Sequence, residues 1–163
     1  MGAMRWAGVP SSMGEIGIAV DDTGVCAVQF AGPPPSRAGA AAGLLAVAVG
    51  QLTEYLDGER RDFDLPLTVR SGTEFERAVW KEIAAIGYGE TRTYGSIATA
   101  LGDPGAARAV GIACNHNPLP IVVPCHRVVG ADGKLVGFGG GLHRKKHLLE
   151  LEARVRVERE FGL

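Results

Sequence analysis

Alternating apolar and polar residues in the first part of the chain predict a small β-sheet. Apolar residues occur at every second position over 16–20, the turn sequence Asp-Asp-Thr-Gly follows at 21–24, and 25–30 runs back. A period of two is typical of strands whose two faces differ in burial, and a Gly-containing turn between two such runs indicates a hairpin. A β-hairpin is therefore expected over 16–30.

A helix and a further strand are predicted to complete this region. Apolar residues recur at helical spacing over 44–56, and the pattern stops at Gly58. Residues 31–43 contain three consecutive prolines with many Ala and Gly, which favours a mobile loop. Alternation returns over 63–69, where Pro66 indicates a strand at the edge of its sheet. This half carries no recognisable chemistry, so we expect it to buttress the rest of the chain.

The pattern changes to helical spacing after residue 72. The segment 73–76 (Thr-Glu-Phe-Glu) is a capping box and predicts a helix. Tyr94 is expected to begin a short helix that Gly102 ends, and Asp103-Pro104 to begin another, which runs to about Asn115. The apolar faces of these three helices are predicted to be Phe75, Val79, Ile83 and Ile86; Ile97, Ala98 and Leu101; and Ala107, Val110, Gly111 and Cys114.

The second and third of these helices have the pattern of a helix-turn-helix, whose second helix normally meets DNA. Many such pairs are plain helical hairpins, so the pattern alone leaves both interpretations open. Arg108 lies off the apolar face near the end that points at DNA in such motifs. Ala106, Ala107 and Gly111 are small enough to admit a phosphate backbone closely.

A reactive group is predicted at Cys125-His126-Arg127. Runs of β-branched residues at 121–123 and 128–129 indicate a buried strand on either side, interrupted at Pro124, which has no backbone donor. An adjacent imidazole and guanidinium can lower the pKa of a thiol, and the thiolate is the nucleophile. The alternative is an inert buried cysteine.

The glycine-rich segment and the helix after it add candidate groups. Asp-Gly at 132–133 suggests a hairpin turn between 128–129 and 135–136, and 137–141 (Gly-Phe-Gly-Gly-Gly) allows close approach of a ligand plane beside the ring of Phe138. From about Leu142 a last helix carries Lys145, Leu148, Leu149 and Glu152 on one stripe. Glu152 therefore points inward, either to a structural ion pair with Lys145 or an arginine, or to the histidine beside the cysteine.

Composition and charge restrict the classes of protein to which the chain can belong. The chain has 163 residues, 46% hydrophobic and 21% charged, which is typical of a globular protein with a real core. Its net charge is −1, but residues 73–163 hold twelve basic and ten acidic residues, and 92–146 hold seven against two. That stretch can face phosphates, with modest affinity.

The cysteines and the chain ends point to an intracellular protein. The three cysteines form no C-x-x-C pair, and the four histidines have no ligand spacing, so we expect no disulfide framework and no metal. No apolar run is long enough for a membrane span, and no secretory signal is evident. A cytoplasmic location is expected.

Several motifs together resemble the O6-alkylguanine-DNA alkyltransferase family (methylated-DNA–protein-cysteine methyltransferases). The similarity runs from about Thr73 to Glu152, half the chain. Its motifs occur in the family's order at 88–95, 106–111, 117–120, 124–127 and 139–141, followed by the helix with Lys145 and Glu152.

The resemblance implies a function and a set of site residues. It implies direct DNA repair, in which the alkyl group of a flipped O6-alkylguanine (and of O4-alkylthymine as a further substrate) moves irreversibly to Cys125 in a single turnover without a cofactor. His126, through a water, takes the thiol proton, Glu152 orients it, and Tyr94 and Lys145 serve the base. The implied base pocket is Asn117, Val128, Phe138 and Gly139, although Asn117 beside its turn is more readily explained as bonding backbone groups. The implied DNA-binding residues are Tyr94, Gly95, Ala106, Ala107, Arg108 and Gly111, with Arg108 as the finger that enters the stack from the minor groove.

One departure and three alternatives remain. Many family members have Tyr where this chain has Phe138, so any donor role of that hydroxyl is lost. The alternatives are a non-catalytic lesion-binding relative, a helix-turn-helix regulator and a cysteine hydrolase. Such binding relatives replace the motif cysteine, a regulator needs a sensor or dimer helix that is not evident, and adjacent Cys and His are an unusual hydrolase geometry.

The sequence therefore predicts an α/β (α+β) protein. A small N-terminal sheet-plus-helix domain is expected over 1–70. A helical C-terminal domain over 73–163 is expected to carry the helix-turn-helix and the active-site cysteine. Its expected partner is double-stranded DNA, bound by a monomer.

Overall fold

The computed structural model describes residues 3–34 and 41–162 and divides the chain into two compact units, Met1–Arg70 and Ser71–Leu163. The loop expected over 31–43 includes residues 35–40, which lie outside the described part of the chain.

The first unit is an antiparallel three-stranded sheet with one helix. Strands β1 (Arg5–Val9), β2 (Ile16–Val20) and β3 (Val25–Gln29) lie in that order, with β2 in the centre and all five of its residues buried. The predicted hairpin of β2 and β3 is confirmed, whereas β1 was not anticipated because it shows no clear alternation. Helix α1 (Leu44–Leu56) forms as predicted, with Leu45, Ala48, Leu52 and Tyr55 buried in the core.

The strand predicted over 63–69 is wrong. Leu67 forms a single isolated bridge with Val25, beside hydrogen bonds from Val25 N to Pro66 O and from Thr68 N to Val25 O. Proline interrupts a ladder because it has no N–H to donate, and the chain before it is held instead by a side chain of α1. Gln51 donates to the carbonyl of Asp64 at 3.1 Å and accepts from its N–H at 2.9 Å.

The second unit is mainly helical. Helix α2 (Glu74–Ala84) begins at the predicted capping box of Thr73 and Glu76. Strand β4 (Arg92–Thr93), helix α3 (Tyr94–Ala100), a 3₁₀ turn (Pro104–Ala106) and helix α4 (Ala107–Asn115) follow. Strand β5 (Val128–Val129) pairs in parallel with β4, and helix α5 (Leu142–Glu160) ends the unit.

Details of the predicted helix faces need correction. Phe75 is 36% exposed, and Trp80 takes its place in the core, where its indole N–H donates to the carbonyl of Ala113 at 2.8 Å. On α4, Ala113 is buried whereas Ala107 and Gly111 are half-buried. Pro104 begins the 3₁₀ turn and not α4, and Asp103 makes no side-chain capping hydrogen bond.

Candidate functional site

The cysteine motif lies in a single 3₁₀ turn, Cys125–Arg127, that leads directly into β5. The side chains of Cys125, His126 and Arg127 are all buried. The turn is closed by a hydrogen bond from Arg127 N to the carbonyl of Pro124 at 2.9 Å. The parallel pairing of β5 with β4 fixes the turn's exit next to the start of α3.

The strand predicted before the cysteine is wrong, because 121–123 is a turn. Ile121 has φ 74°, a left-handed conformation that is strained for a β-branched residue. Asn117 holds this turn: its amide donates to Val123 O at 2.8 Å, and its side-chain oxygen accepts from Leu119 N at 2.9 Å. Val123 O also accepts from Cys125 N at 2.8 Å. Asn117 thus positions the cysteine through backbone bonds, as its place beside the turn suggested.

The two residues after the cysteine belong to a buried cluster of charged and polar groups. Glu152 and His126 are fully buried, and Nε2 of His126 lies 2.7 Å from Oε2 of Glu152. Arg127 donates from Nε to Oε1 and from Nη2 to Oε2 of the same carboxylate, both at 2.9 Å. Gly89 N donates to Oε1 at 3.1 Å. Both alternatives for Glu152, an arginine and the histidine, are therefore realised together.

Gly89 is required by its backbone at this point. Its φ is 74°, and a Cβ there would lie 2.9 Å from Cδ of Arg156. The carbonyl of Gly89 accepts from Nη1 of Arg156 at 3.1 Å, so this loop is fixed to α5 through both the N–H and the carbonyl of Gly89. The glycine therefore delivers a backbone donor to Glu152 where another residue would clash.

The protonation states follow from burial and from these hydrogen bonds. Burial raises the pKa of Cys125 to about 11, against the lowering effects of the Asn117 hydrogen bond and the Lys145 charge. Burial also lowers the pKa of His126, although its bond to Glu152 opposes that shift. For Glu152, burial alone would raise the pKa, but the hydrogen bonds from His126 and Arg127 prevail and hold it well below its usual value. Near neutral pH the site contains a thiol, a neutral imidazole and a carboxylate.

The expectation that the neighbouring imidazole and guanidinium lower the thiol pKa is wrong for this resting state. The guanidinium of Arg127 is directed at Glu152 and at the carbonyl of Ile86, 2.6 Å from Nη1. The imidazole is directed at Glu152 through Nε2. The thiol therefore needs a base to remove its proton, and His126 is the neutral base next to it in the chain.

Lys145 and Tyr94 form a second polar group. Lys145 is fully buried and donates from Nζ to Tyr94 Oη at 3.3 Å, Val136 O at 3.1 Å and Gly137 O at 3.3 Å. Tyr94 Oη donates to Val136 O at 3.2 Å. Burial raises the pKa of Tyr94 to about 12 and lowers that of Lys145. The phenol is thus a neutral donor with the hydrogen-bond donor Nζ of Lys145 beside it.

The buried stripe of α5 matches the prediction in all but one position. Lys145, Leu148 and Glu152 are buried as expected, whereas Leu149 is half-buried and Leu151 lies in the core. The stripe turns by one residue because a 3.6-residue period does not keep strict i, i+4 spacing along a long helix. Both ionisable side chains of the stripe still point inward. Lys145 binds Tyr94, and Glu152 binds His126 and Arg127.

A cavity of about 770 Å³ opens between α3, α4 and the segment 130–137. This volume falls within the range of about 300–1,000 Å³ that is typical of ligand sites. Five of the six predicted DNA-binding residues line it, and Ala106 lies in the 3₁₀ turn immediately before α4. The complete lining is Thr93, Tyr94, Gly95, Ala107, Arg108, Gly111, Ile112, Asn115, Gly130, Ala131, Asp132, Val136 and Gly137.

Two lining residues on α4 were not predicted. Ile112 is 52% exposed, and Asn115 is exposed at the end of the helix. They lie four and seven residues after Arg108, so helical spacing from that residue would have indicated them. Together with Arg108 they give this face of α4 one cationic, one apolar and one amide side chain.

Apart from Asn117, the predicted base-pocket residues lie on two segments. Val128 is buried in β5, while Phe138 is half-buried and Gly139 exposed in the glycine-rich segment. A Cβ on Gly139 would lie 3.7 Å from the carbonyl of Asn115, so this segment runs close to the end of α4. The predicted turn at 132–133 forms, with a hydrogen bond from Gly130 N to Lys134 O at 2.8 Å, but 135–136 forms no strand. The expected hairpin is therefore wrong beyond its turn.

Neither a metal centre nor a membrane span is visible in the described ranges 3–34 and 41–162. No three His, Cys, Asp or Glu side chains there form a group that could hold a metal ion. None of the helices in these ranges is both long and apolar enough to cross a bilayer. The three cysteines are free and buried.

Comparison with known proteins identifies the same family for both units of the chain. Residues 4–69 match the family model for the ribonuclease-like domain of 6-O-methylguanine DNA methyltransferase, and residues 74–154 match the model for its DNA binding domain. The methylated-DNA--protein-cysteine methyltransferase of Mycobacterium tuberculosis is 58% identical over 110 residues, which are 68% of this chain and 66% of that relative. The matched segment thus spans slightly less than two thirds of the curated relative.

Two solved structures are similar over a larger share of this chain. The Mycobacterium tuberculosis O6-methylguanine methyltransferase has 44% identity and a TM-score of 0.83, covering 93% of this chain and 94% of that one. The Mycobacterium tuberculosis OGT in complex with DNA has 43% identity and a TM-score of 0.81, with the same coverage. The predicted family and fold class are confirmed. Both domain models match in order and the structures match along nearly the full chain, so this chain belongs to the 6-O-methylguanine DNA methyltransferase family.

Proposed function

We propose that this chain repairs DNA by transferring the alkyl group of O6-alkylguanine, methyl above all, irreversibly to Cys125. The observation that carries the proposal is the hydrogen bond of 2.7 Å between Glu152 and His126, the residue that follows the buried thiol of Cys125 in the same 3₁₀ turn. Membership of the family and the DNA-bound relative support the same reaction. Intact-protein mass after mixing with methylated duplex DNA tests it, since one alkyl group should be added per protein.

The proton path begins at the thiol. Nε2 of His126 faces Glu152, so a neutral imidazole that donates to this carboxylate carries its lone pair on Nδ1. That nitrogen accepts the proton of Cys125, through one water as the resemblance implies. Glu152 then stabilises the imidazolium, and the thiolate attacks the alkyl carbon.

The leaving group is the guanine oxygen. As the sulfur–carbon bond forms, the carbon–oxygen bond breaks and its electron pair stays with the base, which must then be protonated. Tyr94 is the neutral donor, and Lys145, 3.3 Å away, restores its proton. Both groups bind the carbonyl of Val136 in this structure, so an arriving base replaces that carbonyl as their acceptor.

The reaction requires a base flipped out of the duplex. Unstacking and unpairing cost a few kcal/mol, and a side chain that fills the gap offsets part of that cost. Arg108 is exposed at the cavity rim on the N-terminal part of α4, where it can enter the stack from the minor groove. Ala106, Ala107 and Gly111 allow the sugar–phosphate backbone to approach the helix closely.

The product is a thioether, and the protein acts once, as a monomer, without a cofactor. Val128 and Gly139 offer backbone groups to the guanine edges, and Phe138 forms a wall of the pocket. A thiol nucleophile that must remain reduced suits the cytoplasm. The lesion-binding alternative is disfavoured because Cys125 is present with a base behind it.

Arg108→Ala is expected to slow repair in duplex DNA much more than reaction with free O6-benzylguanine. The free base needs no extrusion, so the rate of its reaction should not depend on the Arg108 side chain. If the finger offsets about 2 kcal/mol of the flipping cost, the duplex rate falls about 30-fold. Single-turnover rates with both substrates measure this difference, and an equal loss with both would assign Arg108 to the fold or the pocket instead.

Tyr94→Phe is the matched variant for that experiment. It removes the phenol that protonates the leaving base while keeping the ring, so both substrates should react about 100-fold more slowly. Circular dichroism and thermal melting check that the variant is folded. A loss confined to the duplex substrate would contradict the donor role and place Tyr94 in DNA binding alone.

A further inference from the structure

Arg127 makes more contacts than a residue that only fills space behind the cysteine. It is 6% exposed, and three of its nitrogens donate hydrogen bonds: Nε and Nη2 to Glu152 at 2.9 Å and Nη1 to Ile86 O at 2.6 Å. Its guanidinium also lies 5.5 Å from the centre of the Tyr88 ring. The fork geometry specifies one orientation of the Glu152 carboxylate.

We propose that Arg127 is a positioning residue for alkyl transfer. Its two bonds fix the Glu152 carboxylate that holds His126, and its charge keeps that imidazole neutral until the thiol proton arrives. The inference rests on the proposed function, because it concerns the base of the same reaction. It adds a third member to the pair of His126 and Glu152.

The charge argument compares the cluster with and without the guanidinium. A buried carboxylate alone beside an imidazole strongly favours the imidazolium, because an isolated buried charge is costly. With Arg127 paired to Glu152, the carboxylate is already compensated, and adding a proton to His126 would leave a net positive charge in the protein interior. The resting imidazole therefore stays unprotonated and can act as a base.

The other ionisable groups near His126 act in known directions. Lys145 on α5 adds positive charge and favours the neutral imidazole in the same way as Arg127. The buried thiols of Cys125 and Cys114 are both protonated in the resting state, since burial raises the pKa of the first to about 11 and of the second to about 12. Burial is the largest cause of the lowered His126 pKa, and Arg127, which hydrogen-bonds Glu152 directly, adds its charge in the same direction.

The geometric argument concerns which imidazole nitrogen is the base. Glu152 accepts from Arg127 on both oxygens and from Gly89 N on one, so its plane is fixed before His126 binds it. The imidazole can then donate only from Nε2 to this carboxylate, which leaves the lone pair on Nδ1. A carboxylate free to rotate would hold the ring less strictly.

The pH dependence of alkyl transfer tests the charge role. We would measure the rate with free O6-benzylguanine for the wild type, Arg127→Gln and Arg127→Lys. Arg127→Gln keeps a donor toward Glu152 but loses the charge, so the acid limb of the profile should move up by about one pH unit. Arg127→Lys keeps the charge and should leave the limb within a few tenths of a unit, with a lower plateau because the fork is lost. If the acid limb of the rate–pH profile of folded Arg127→Gln lies at the same pH as that of the wild type, the proposal is wrong.

Nitrogen-15 NMR of labelled histidine provides a test that needs no variant at Arg127. Single Gln variants at the other three histidines, His116, His143 and His147, identify the His126 signal by elimination. In the wild type its ring should show the neutral form with the proton on Nε2 at neutral pH, because burial lowers the pKa of His126 below its usual value. A protonated His126 at neutral pH, or a proton on Nδ1, would contradict the proposal.

The two proposals fail separately. Absence of alkylation in the wild type would reject the repair function while leaving the NMR result intact. Alkylation at Cys125 with unchanged pH limbs in folded Arg127→Gln would reject the role of Arg127 alone.

Discussion

Cys125→Ser is expected to abolish alkyl transfer from both methylated duplex DNA and free O6-benzylguanine. A serine hydroxyl is not ionised by an imidazole strongly enough to displace a guanine oxygen from an alkyl carbon, which is a poor electrophile. The change is nearly isosteric at a buried position, so the fold should be retained. Intact mass and peptide mapping after reaction measure the loss and locate the alkyl group in the wild type.

Cys26→Ser is the matched control for this variant. Cys26 is also buried and free, but it packs against Trp6 and Ala19 in the sheet of the first unit. It should keep the wild-type rate and carry no alkyl group. Modification of the wild type at Cys26 or Cys114, or undiminished transfer by Cys125→Ser, would reject the assignment of the acceptor.

Local signals in the sequence predicted the elements whose stability is decided locally. The apolar spacing over 44–56 gave a helix with the observed ends, and the capping box at Thr73 gave the observed start of α2. The hairpin of β2 and β3 followed from alternation around a Gly-containing turn. In each case the determining contacts lie within a few residues along the chain.

The failures occurred where a side chain from outside the segment holds its backbone. The β-branched run at 121–123 has strand propensity, but Asn117 captures the backbone of Leu119 and Val123 and stabilises a turn with Ile121 at a positive φ. The segment 63–69 alternates like a strand, but Gln51 binds its backbone. Propensity does not include such bonds from a side chain to the backbone.

The sequence predicted which residues form the candidate site better than it predicted the hydrogen bonds between them. Helical spacing placed Lys145 and Glu152 inward, and the motif order supplied Cys125 and His126. The sequence left open whether an ion pair or a histidine binds Glu152, because a stripe on a helix does not specify partners 25 residues away in the chain. The structure joins both, and the guanidinium expected to act on the thiol acts on the carboxylate.

Glu152→Gln is expected to cause the second large effect, on rate and stability together. Loss of the carboxylate leaves the Arg127 charge buried without its counter-ion, which costs about 3 kcal/mol. It also removes the charge that stabilises the imidazolium of His126, so alkyl transfer near neutral pH should slow roughly 100-fold per folded molecule. Urea denaturation and rate–pH profiles measure the two effects separately.

The stability effect has a defined pH dependence. The folded pKa values of Glu152 and His126 are both lowered from their ordinary values of 4.5 and 6.5. A group whose pKa falls on folding contributes stability above its unfolded pKa and loses it as the pH decreases. The stability gap between wild type and Glu152→Gln should therefore be greatest near neutral pH and narrow below about pH 4, where the unfolded carboxyl is protonated.

Glu150→Gln is the control on the same helix. Glu150 is 67% exposed and pairs with Lys146 at 3.8 Å across one turn, so its loss should change stability by less than about 0.5 kcal/mol and leave the rate unchanged. If Glu152→Gln loses stability but keeps the wild-type rate–pH profile, the carboxylate is a structural counter-ion of Arg127 and has no part in proton transfer. A shifted profile in the folded variant assigns it to the base that ionises Cys125, because the transfer rate follows the protonation of His126 only if that imidazole takes the thiol proton.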